Sequence, residues 1–314
     1  MRLIAPSVEV IKQTVNYNMY RHLAECYAYI YKLPKPDSMD ECRKLTDLAE
    51  INEDYDVLKH TAVYMIFPLT EFYINKYGYD PKCSVYEDFA DDKFYVTTTY
   101  DYIVKNNHFG DLQYTTPYNL LHERYVTVKF SLDQLGMQNL CRMGDKFMAT
   151  CVNRFNFRDN DPKLKNEVKF IIPSFVTLKP GLYLQSKEND QIVYKCAALG
   201  TVCKPCTDNL GVSEEMFKTF NVDEQMKHTE LVRERNINFS FLNRRYENEQ
   251  AYNHLLGTDL FTPQACRNVM HHFGEEHVIV TAAEYDWTAF INRKFESLSG
   301  PSTKMLFTQI KEQL

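Results

Sequence analysis

The sequence Tyr-Val-Thr-Val-Lys-Phe-Ser-Leu, residues 125 to 132, is the segment from which the fold prediction starts. Its β-branched and aromatic residues partly alternate with polar ones, which is typical of a β-strand. Asp133 follows directly, and its side chain can accept a hydrogen bond from the first turn of a helix. We therefore predict a strand over 125–132, followed by a helix from Gln134 to about Met143.

The segments around this strand carry the same two kinds of pattern. Apolar residues at helical spacing predict helices over residues 8–33, 56–77 and 223–256. β-rich runs predict strands over residues 2–4, 94–103 and 168–172. The fold class is therefore α+β, with helices packed around one substantial sheet. We expect 1–314 to be a single elaborated domain in which the turn-rich residues 181–209 are an insertion.

The composition indicates a folded chain without a general surface for polyanions. A hydrophobic fraction of 44%, with 14% aromatic residues, is too high for a disordered protein. The 36 basic and 42 acidic residues give a net charge of −6, so no general nucleic-acid binding is expected. No run approaches the roughly 18 to 20 apolar residues that span a bilayer, and no secretory signal is evident. We expect no membrane association and a cytoplasmic location.

The cysteines allow a metal interpretation and a simpler one. Cys203 and Cys206 form a Cys-x-x-Cys pair, and Cys196 precedes it, which is compatible with a zinc or redox site. No second pair completes a set of four ligands, and the nearest later histidine is His228. We therefore predict loop thiols and no structural metal. The odd total of nine cysteines also fits reduced thiols in the cytoplasm.

Lys294 interrupts an apolar stripe near the end of the chain. In a helix predicted over residues 287–298, Trp287, Ile291 and Leu298 fall on one face, and Lys294 shares it. The lysine stem can lie on apolar surface while its ammonium group reaches water. Alternatively, the cation is held at the edge of the core to meet an anionic ligand. The sequence leaves both interpretations open.

The segment after the first strand and helix carries a recognisable order of residues. Residues 142–155 read Arg-Met-Gly-Asp-Lys-Phe-Met-Ala-Thr-Cys-Val-Asn-Arg-Phe. Without a gap, this resembles the Arg-His-Arg-x-x-Ser-x-Asn-Glu-x-Ser-x-Arg-Tyr signature of the flavin-dependent thymidylate synthases. Arg142 and Arg154 match its first and last arginines, and Phe155 stands in place of the tyrosine. Met143 and Gly144 replace the histidine and the second arginine, so the signature is degraded.

Two further segments resemble the same family. The family has a helix start, a Phe-Leu-x-Leu-Arg helix and a small-residue turn, and the matching residues here are Thr262-Pro263-Gln264-Ala265-Cys266-Arg267, Phe290-Ile291-Asn292-Arg293-Lys294 and Ser299-Gly300-Pro301. Lys294 takes the place of the family's second arginine and keeps its charge. His60 and His122 both lie in contexts similar to the family's Leu-Glu-His, and His122 has the better position, just before the strand.

A second stretch, residues 233–246, fits the same signature. It keeps both early arginines, Arg233 and Arg235, and the Arg-Tyr ending at Arg245. No predicted strand comes just before it. The alternative is a solvated, arginine-rich helix with glutamates at helical spacing as partners. The sequence leaves open which of the two stretches is the true motif.

The resemblance implies a homotetramer that binds FAD and dUMP at subunit junctions. In that family methylene-tetrahydrofolate supplies a one-carbon unit to C5 of the uracil, and flavin reduced by NADPH supplies hydride. By position, the resemblance implies that Arg154, Arg267 and Lys294 bind the nucleotide and its phosphate. It implies that Arg142 and His122 bind the flavin. It assigns no catalytic residue.

Two alternatives accompany this hypothesis. One is a sister enzyme that hydroxymethylates C5 of a related pyrimidine nucleotide. The other is a binding or assembly protein that kept the fold and lost the flavin site, which Met143 and Gly144 favour. The colour of the purified protein separates an enzyme that holds flavin from such a scaffold.

Overall fold

The computed structural model describes residues 1–13, 16–141, 143–152, 168–204, 210, 212–258, 260–261, 263–266, 269–270, 274–294 and 301–314. Within these residues, helices and strands form an α+β protein, as predicted. The prediction of one substantial sheet is wrong, because the described strands form three sheets. The physical reason is that the apolar residues divide into three hydrophobic clusters, and each cluster covers a different sheet.

The secondary-structure elements are defined here in chain order. They are β1 (Arg2–Ile4), β2 (Ser7–Lys12), α1 (Met19–Tyr31), α2 (Met39–Ile51), α3 (Tyr55–Leu58), β3 (Ala62–Pro68), α4 (Glu71–Tyr77), β4 (Ser84–Asp88), β5 (Lys93–Thr99), α5 (Tyr100–Lys105), a 3-10 helix (Phe109–Tyr114), β6 (Tyr125–Leu132), α6 (Gln134–Leu140), β7 (Met148–Cys151), β8 (Lys169–Ile171), β9 (Gly181–Glu188), β10 (Gln191–Cys196), β11 (Val202–Cys203), α7 (Glu214–Thr219), α8 (Val222–Gly257), α9 (Pro263–Cys266), β12 (Glu276–Ala283), α10 (Glu284–Lys294) and α11 (Pro301–Gln313).

The four-stranded sheet contains the strand from which the prediction started. Its order is β2-β6-β12-β7, and every pairing is antiparallel. β6 has the predicted bounds, and Asp133 caps α6 by accepting a hydrogen bond from the backbone N–H of Gly136 at 2.7 Å. Trp287 of α10 and Phe307 of α11 are buried against this sheet. The segment 125–140 is therefore confirmed as strand followed by helix.

The three-stranded sheet has the order β3-β5-β4 and packs with α1. Two helix predictions were too long, because each included a strand: β2 of the four-stranded sheet and β3 of the three-stranded sheet. Residues 8–12 belong to β2 because they pair with β6, and only Met19–Tyr31 is helical. Residues 56–77 contain β3 between two short helices. β3 is buried on both faces at most positions, so its sequence lacks the alternation that marks a half-exposed strand.

The five-stranded sheet has the order β11-β10-β9-β1-β8. β1 pairs in parallel with β8 and antiparallel with β9. The described part of residues 181–209 therefore supplies β9, β10 and β11 to a sheet that includes the first strand. That this segment is an insertion stays a prediction.

Helix α8 covers the hydrophobic cluster of the five-stranded sheet, and its bounds agree closely with the predicted helix. It has 36 residues and begins with a capping box, in which Asn221 and Glu224 bond each other's backbone N–H groups. Its buried residues occur from Asn238 onward, so its first half lies mostly in solvent. None of the helices in the described part of the chain is both long and apolar enough to span a bilayer.

Candidate functional site

An open groove of about 510 Å³ follows one face of α8. We call it the arginine groove and define it by its lining: Phe175, Arg233, Asn236, Ile237, Ser240, Phe241, Arg244 and Arg245. Its seven helical residues recur at spacings of three, four, seven and eight, so they share one helix face. Three of the eight lining residues are arginines, although the whole chain is acidic.

Arg245 lies deepest in the arginine groove. Its exposed fraction is 6%, and its guanidinium carbon is 5.5 Å from the ring centroid of Phe241 and 5.8 Å from that of Phe170. Burial lowers its pKa to about 10, and the nearby charge of Arg244 acts in the same direction. The side chain is still charged at neutral pH. The groove therefore has a partly desolvated cation at its base.

The mouth of the arginine groove carries more exposed groups. Arg233 and Arg244 are exposed, and Nη1 of Arg244 donates to Oε2 of Glu247 at 3.1 Å. Ser240 adds a hydroxyl group, and the ring of Phe175 is 60% exposed. Guanidinium groups bind phosphate oxygens in pairs, and an exposed aromatic face can stack on a planar ring. The lining therefore suits a ligand that joins a phosphate to an aromatic base.

Arg235 lies on another side of α8. It follows Arg233 by two positions, which corresponds to a rotation of about 200° around the helix. Its charge acts on Cys203 of β11, where it opposes the rise in thiol pKa to about 11 that burial causes. Of the second motif-like stretch, Arg233 and Arg245 therefore share the arginine groove and Arg235 does not.

The first motif-like stretch is described only in part. Arg142, Arg154 and Arg267 lie outside the described residues, and so does the side chain of Lys294, which ends α10. Within the described residues of this stretch, 143–152, Met148–Cys151 form strand β7, which joins β6 through β12 in one sheet. The nucleotide and flavin roles of these four cations stay predictions.

His122 is a packed residue of the three-stranded sheet region. Its exposed fraction is 5%, and its ring lies 5.2 Å from that of Tyr64 and 5.4 Å from that of Tyr95. Its Nε2 is 3.1 Å from the carbonyl oxygen of Met65, and burial lowers its pKa. It is not among the residues that line the arginine groove. Its flavin role stays a prediction.

A second polar cluster lies entirely inside the protein. His60 is fully buried, with Nδ1 at 3.0 Å from Oγ1 of Thr281 and Nε2 at 2.8 Å from Oγ1 of Thr150. Thr281 also contacts Thr127, its partner across β6 and β12, at 2.8 Å between hydroxyl oxygens. Oγ1 of Thr127 is 3.2 Å from Nε2 of His22. We call these five residues the histidine–threonine network.

Burial sets the charge state of both imidazoles in the histidine–threonine network. It lowers the pKa of His22 to about 4 and that of His60 well below its ordinary value. Both rings are therefore neutral at pH 7. The sequence pointed to His60 and to Thr150, as part of the degraded signature, but not to His22, Thr127 or Thr281. The signal that could have found Thr127 and Thr281 is a threonine within an otherwise apolar strand, at Val126-Thr127-Val128 and Val280-Thr281-Ala282.

Of Cys196, Cys203 and Cys206, the structure describes the first two. Cys196 is buried at the end of β10, and Cys203 is half-buried in β11, while Cys206 lies outside the described residues. Within the part of the chain that the structure describes, no group of three or more His, Cys, Asp or Glu side chains is arranged to hold a metal ion.

Comparisons with known proteins give a weak structural likeness. No protein-family model matches this chain, and no curated protein matches it in sequence. The chain is similar to the crystal structure of a UMP/dUMP methylase, PolB from Streptomyces cacaoi, bound with 5-Br dUMP, at 10% identity and a TM-score of 0.37 over 100% of this chain and 91% of that one. For the same methylase bound with 5-Br UMP the values are 10%, 0.38, 100% and 90%. Scores this low carry no argument about the fold or the activity of this chain.

Proposed function

We propose that this protein is a pyrimidine-nucleotide enzyme that holds its substrate in the arginine groove and transfers a one-carbon unit to C5 of dUMP, as the flavin-dependent thymidylate synthases do. The observation that carries the nucleotide part is the convergence of Arg233, Arg244 and Arg245 beside an exposed phenylalanine ring. The reaction itself is proposed from the resemblance of the sequence motifs.

The charge of the groove supports a phosphate ligand. Three guanidinium groups lie on one helix face, one of them paired with Glu247, and their combined charge would attract an entering phosphate. A hydrogen bond to a charged group contributes about 1.5 to 3 kcal/mol. Because Arg245 is partly desolvated, its interaction with an anion is screened less than that of a surface cation.

The remaining lining supports the nucleoside part. Base–aromatic stacking contributes about 1 to 3 kcal/mol for each base, and the ring of Phe175 is exposed enough to provide it. The hydroxyl of Ser240 and the amide of Asn236 lie on the same helix face, where they can hydrogen-bond to base or sugar oxygens. The lining thus provides binding groups for each part of a mononucleotide.

The flavin is a separate question. The described lining of the arginine groove offers cations and one exposed ring, and none of its contacts fits a flavin ring in particular. We therefore derive no step through FAD. The assignments of Arg142 and His122 to flavin, of Arg154, Arg267 and Lys294 to a nucleotide, and of the homotetramer, NADPH and methylene-tetrahydrofolate stay proposals from the resemblance.

Calorimetric titration with dUMP and UMP tests nucleotide binding at the arginine groove. We expect Arg233→Met to weaken binding about tenfold, because one charge-assisted hydrogen bond is lost. Arg235→Met is the matched control, since it removes the same charge from the same helix on another face. We expect it to change the affinity less than twofold. Equal losses in both variants, or no binding by the wild type, would contradict the proposal.

The same purified protein tests the reaction class. A yellow protein with a flavin absorbance band that methylates dUMP supports the enzyme, and a hydroxymethylated product supports the sister enzyme. A colourless protein that binds dUMP through Arg233 without turnover supports a binding protein. Met143 and Gly144, which replace a histidine and an arginine of the family signature, are the observation that favours this second candidate.

A further inference from the structure

Two exposed thiols meet at the edge of the four-stranded sheet. Cys141 follows the last residue of α6, and Cys151 ends the edge strand β7. Both side chains are exposed, and their sulfur atoms are 3.7 Å apart. The two cysteines are ten positions apart in the chain, so the pair forms within one short helix-to-strand connection.

We propose that Cys141 and Cys151 are a modification site that forms a reversible disulfide with a low-molecular-weight disulfide such as oxidised glutathione as the oxidant. A disulfide has a sulfur–sulfur distance of about 2.0 Å. Rotation of the two side chains can shorten the present distance because neither sulfur is enclosed by the core. The proposal is independent of the nucleotide site.

The backbone between the two cysteines supports their approach. Gly144 has a φ of +111°, a region that residues with a Cβ rarely adopt, and nothing lies within 4 Å of the position where a Cβ would be. The backbone N–H of Phe147 donates to the carbonyl oxygen of Gly144 at 3.0 Å. This turn returns the chain from the end of α6 to β7. The pairing of thiols is therefore set by a defined turn.

The exchange proceeds in two balanced steps. The thiolate of Cys141 attacks one sulfur of oxidised glutathione, which forms a mixed disulfide and releases one glutathione thiolate. The thiolate of Cys151 then attacks the sulfur of Cys141 and releases the second glutathione. Two protein thiols lose two electrons and two protons, and two molecules of reduced glutathione carry them away.

The surroundings of Cys151 favour this order of attack. Cys151 is an exposed residue, but its sulfur is partly covered, and this partial burial raises its pKa to about 12; the charge and the hydrogen bond of Cys141 act in the same direction. In the reduced protein Cys151 is therefore a poor first nucleophile. Once Cys141 carries glutathione, its thiol no longer raises the pKa of Cys151. The contribution of Cys141 to the raised pKa of Cys151 is then lost, whereas the larger contribution of burial remains.

The disulfide would connect the end of α6 to an edge strand. Among the strands that the structure describes, β7 pairs with β12 alone, and its Thr150 contacts His60 in the histidine–threonine network. A covalent bond at Cys151 restricts the separation of this strand from the sheet. We expect the backbone amides of Met148–Cys151 to exchange hydrogen more slowly in the oxidised protein than in the reduced protein.

Peptide mapping of the full chain in glutathione buffers tests the proposal. Trypsin cleaves after Lys129, Arg142, Lys146 and Arg154, so the two cysteines fall in separate peptides, 130–142 and 147–154. In oxidised glutathione we expect the two peptides to be joined, with a mass about 2 Da below their sum, and to separate again in excess reduced glutathione. Cys203→Ser is the control and should behave as the wild type does.

Two outcomes would overturn the proposal. One is that both thiols stay free in oxidised glutathione. The other is that each peptide carries its own glutathione and no joined peptide forms. In Cys141→Ser, peptide 147–154 should stay unlinked. In 8 M urea the joined peptide should require at least a tenfold higher ratio of oxidised to reduced glutathione, because folding holds the two sulfurs together; an unchanged ratio would contradict the proposed role of the folded geometry.

Discussion

The histidine–threonine network and the arginine groove are both polar, and they differ in where their partners come from. In the network, the rings of His22 and His60 reach hydroxyl groups of the protein itself, and burial keeps both rings neutral. In the groove, Arg233 and Arg244 face solvent and Arg245 stays charged. The first cluster is enclosed by the core, whereas the second places cationic side chains along an open groove, where Arg244 also pairs with Glu247.

This difference separates a structural role from a binding role. A buried polar group must have a partner, because an unsatisfied one costs about 1 to 3 kcal/mol. A solvent-facing cation such as Arg233 is hydrated and can exchange that water for a ligand, and Arg244 can exchange its exposed pairing with Glu247 in the same way. The network should therefore govern stability and the groove should govern affinity. Each of the following changes tests one side of this separation.

The largest effect should come from acid acting on the histidine–threonine network. His22 binds a proton below about pH 4 when folded, whereas its ordinary pKa is 6.5. Between these values the unfolded chain binds more protons, so the free energy of unfolding falls as the pH falls. His22 alone should remove about 3 kcal/mol once the pH is below 4, and His60 should act in the same direction.

Urea unfolding at pH 7, 6 and 5 measures this loss. His22→Gln removes the titrating group, so stability in that variant should depend less steeply on pH than in the wild type. The exposed His254 provides a control, because His254→Gln should leave the slope unchanged. If the free energy of unfolding depends on pH with the same slope in all three proteins, the buried imidazoles do not control acid sensitivity.

Removal of His60 should have the next largest effect. His60→Ala creates a cavity and leaves the hydroxyl groups of Thr150 and Thr281 without their imidazole partner. We expect a loss of about 3 kcal/mol in the free energy of unfolding at pH 7, with little change in dUMP affinity. His254→Ala should stay within about 0.5 kcal/mol of the wild type. A large loss of dUMP affinity in folded His60→Ala protein would contradict the assignment of a purely structural role to the histidine–threonine network.

Removal of the exposed ring should act on affinity alone. Phe175→Ala should weaken dUMP binding by about 1 kcal/mol, roughly fivefold, because the base loses its stacking surface. Binding of inorganic pyrophosphate, which has no base, should be unchanged in the same titration. If both ligands weaken equally, Phe175 shapes the groove and does not contact a base.

The smallest effect should come from Glu247 at the groove mouth. Its carboxylate accepts hydrogen bonds from Arg244 at 3.1 Å and from Asn243 at 2.9 Å. Glu247→Gln removes a negative charge beside the anion site, so dUMP should bind about twofold tighter at low salt. The exposed pair of Glu214 and Lys218 on α7 supplies the control, since Glu214→Gln should not alter affinity. Weaker dUMP binding in Glu247→Gln would contradict the proposal that the arginine groove binds an anion.

The sequence predicted those elements whose local pattern agrees with their final environment. β6 and the cap at Asp133 follow from β-branched residues and a capping side chain, and α8 follows from a long helical pattern. Residues 8–12 and 62–68 were predicted as helices from their local pattern. They form strands because they pair with β6 and β5, and this pairing is not visible in the local sequence. Tertiary pairing overrides local propensity in such segments. The division into three sheets also depends on pairing between strands that are distant in the chain, so the local sequence does not predict it.

Two arginines of the second motif-like stretch, Arg233 and Arg245, lie in the lining of the arginine groove, and their role in nucleotide binding stays a proposal. The second motif-like stretch led directly to Arg233 and Arg245, because residues on one helix face can be counted from the sequence. Phe175 was missed, since it reaches the groove from a loop outside α8. The contact of Cys141 with Cys151 was missed for a related reason: it depends on a turn at Gly144 that spacing alone does not specify.

The position of β1 in the five-stranded sheet has a consequence for synthesis on the ribosome. The partners of this strand, at Lys169 and Leu182, are made long after the strand itself. At about 5 to 20 residues per second, the delay is roughly 10 to 35 seconds. The three-stranded sheet has all its strands by Thr99 and can form during that interval. The nascent chain should therefore form the three-stranded sheet before β1 is recruited into the five-stranded sheet.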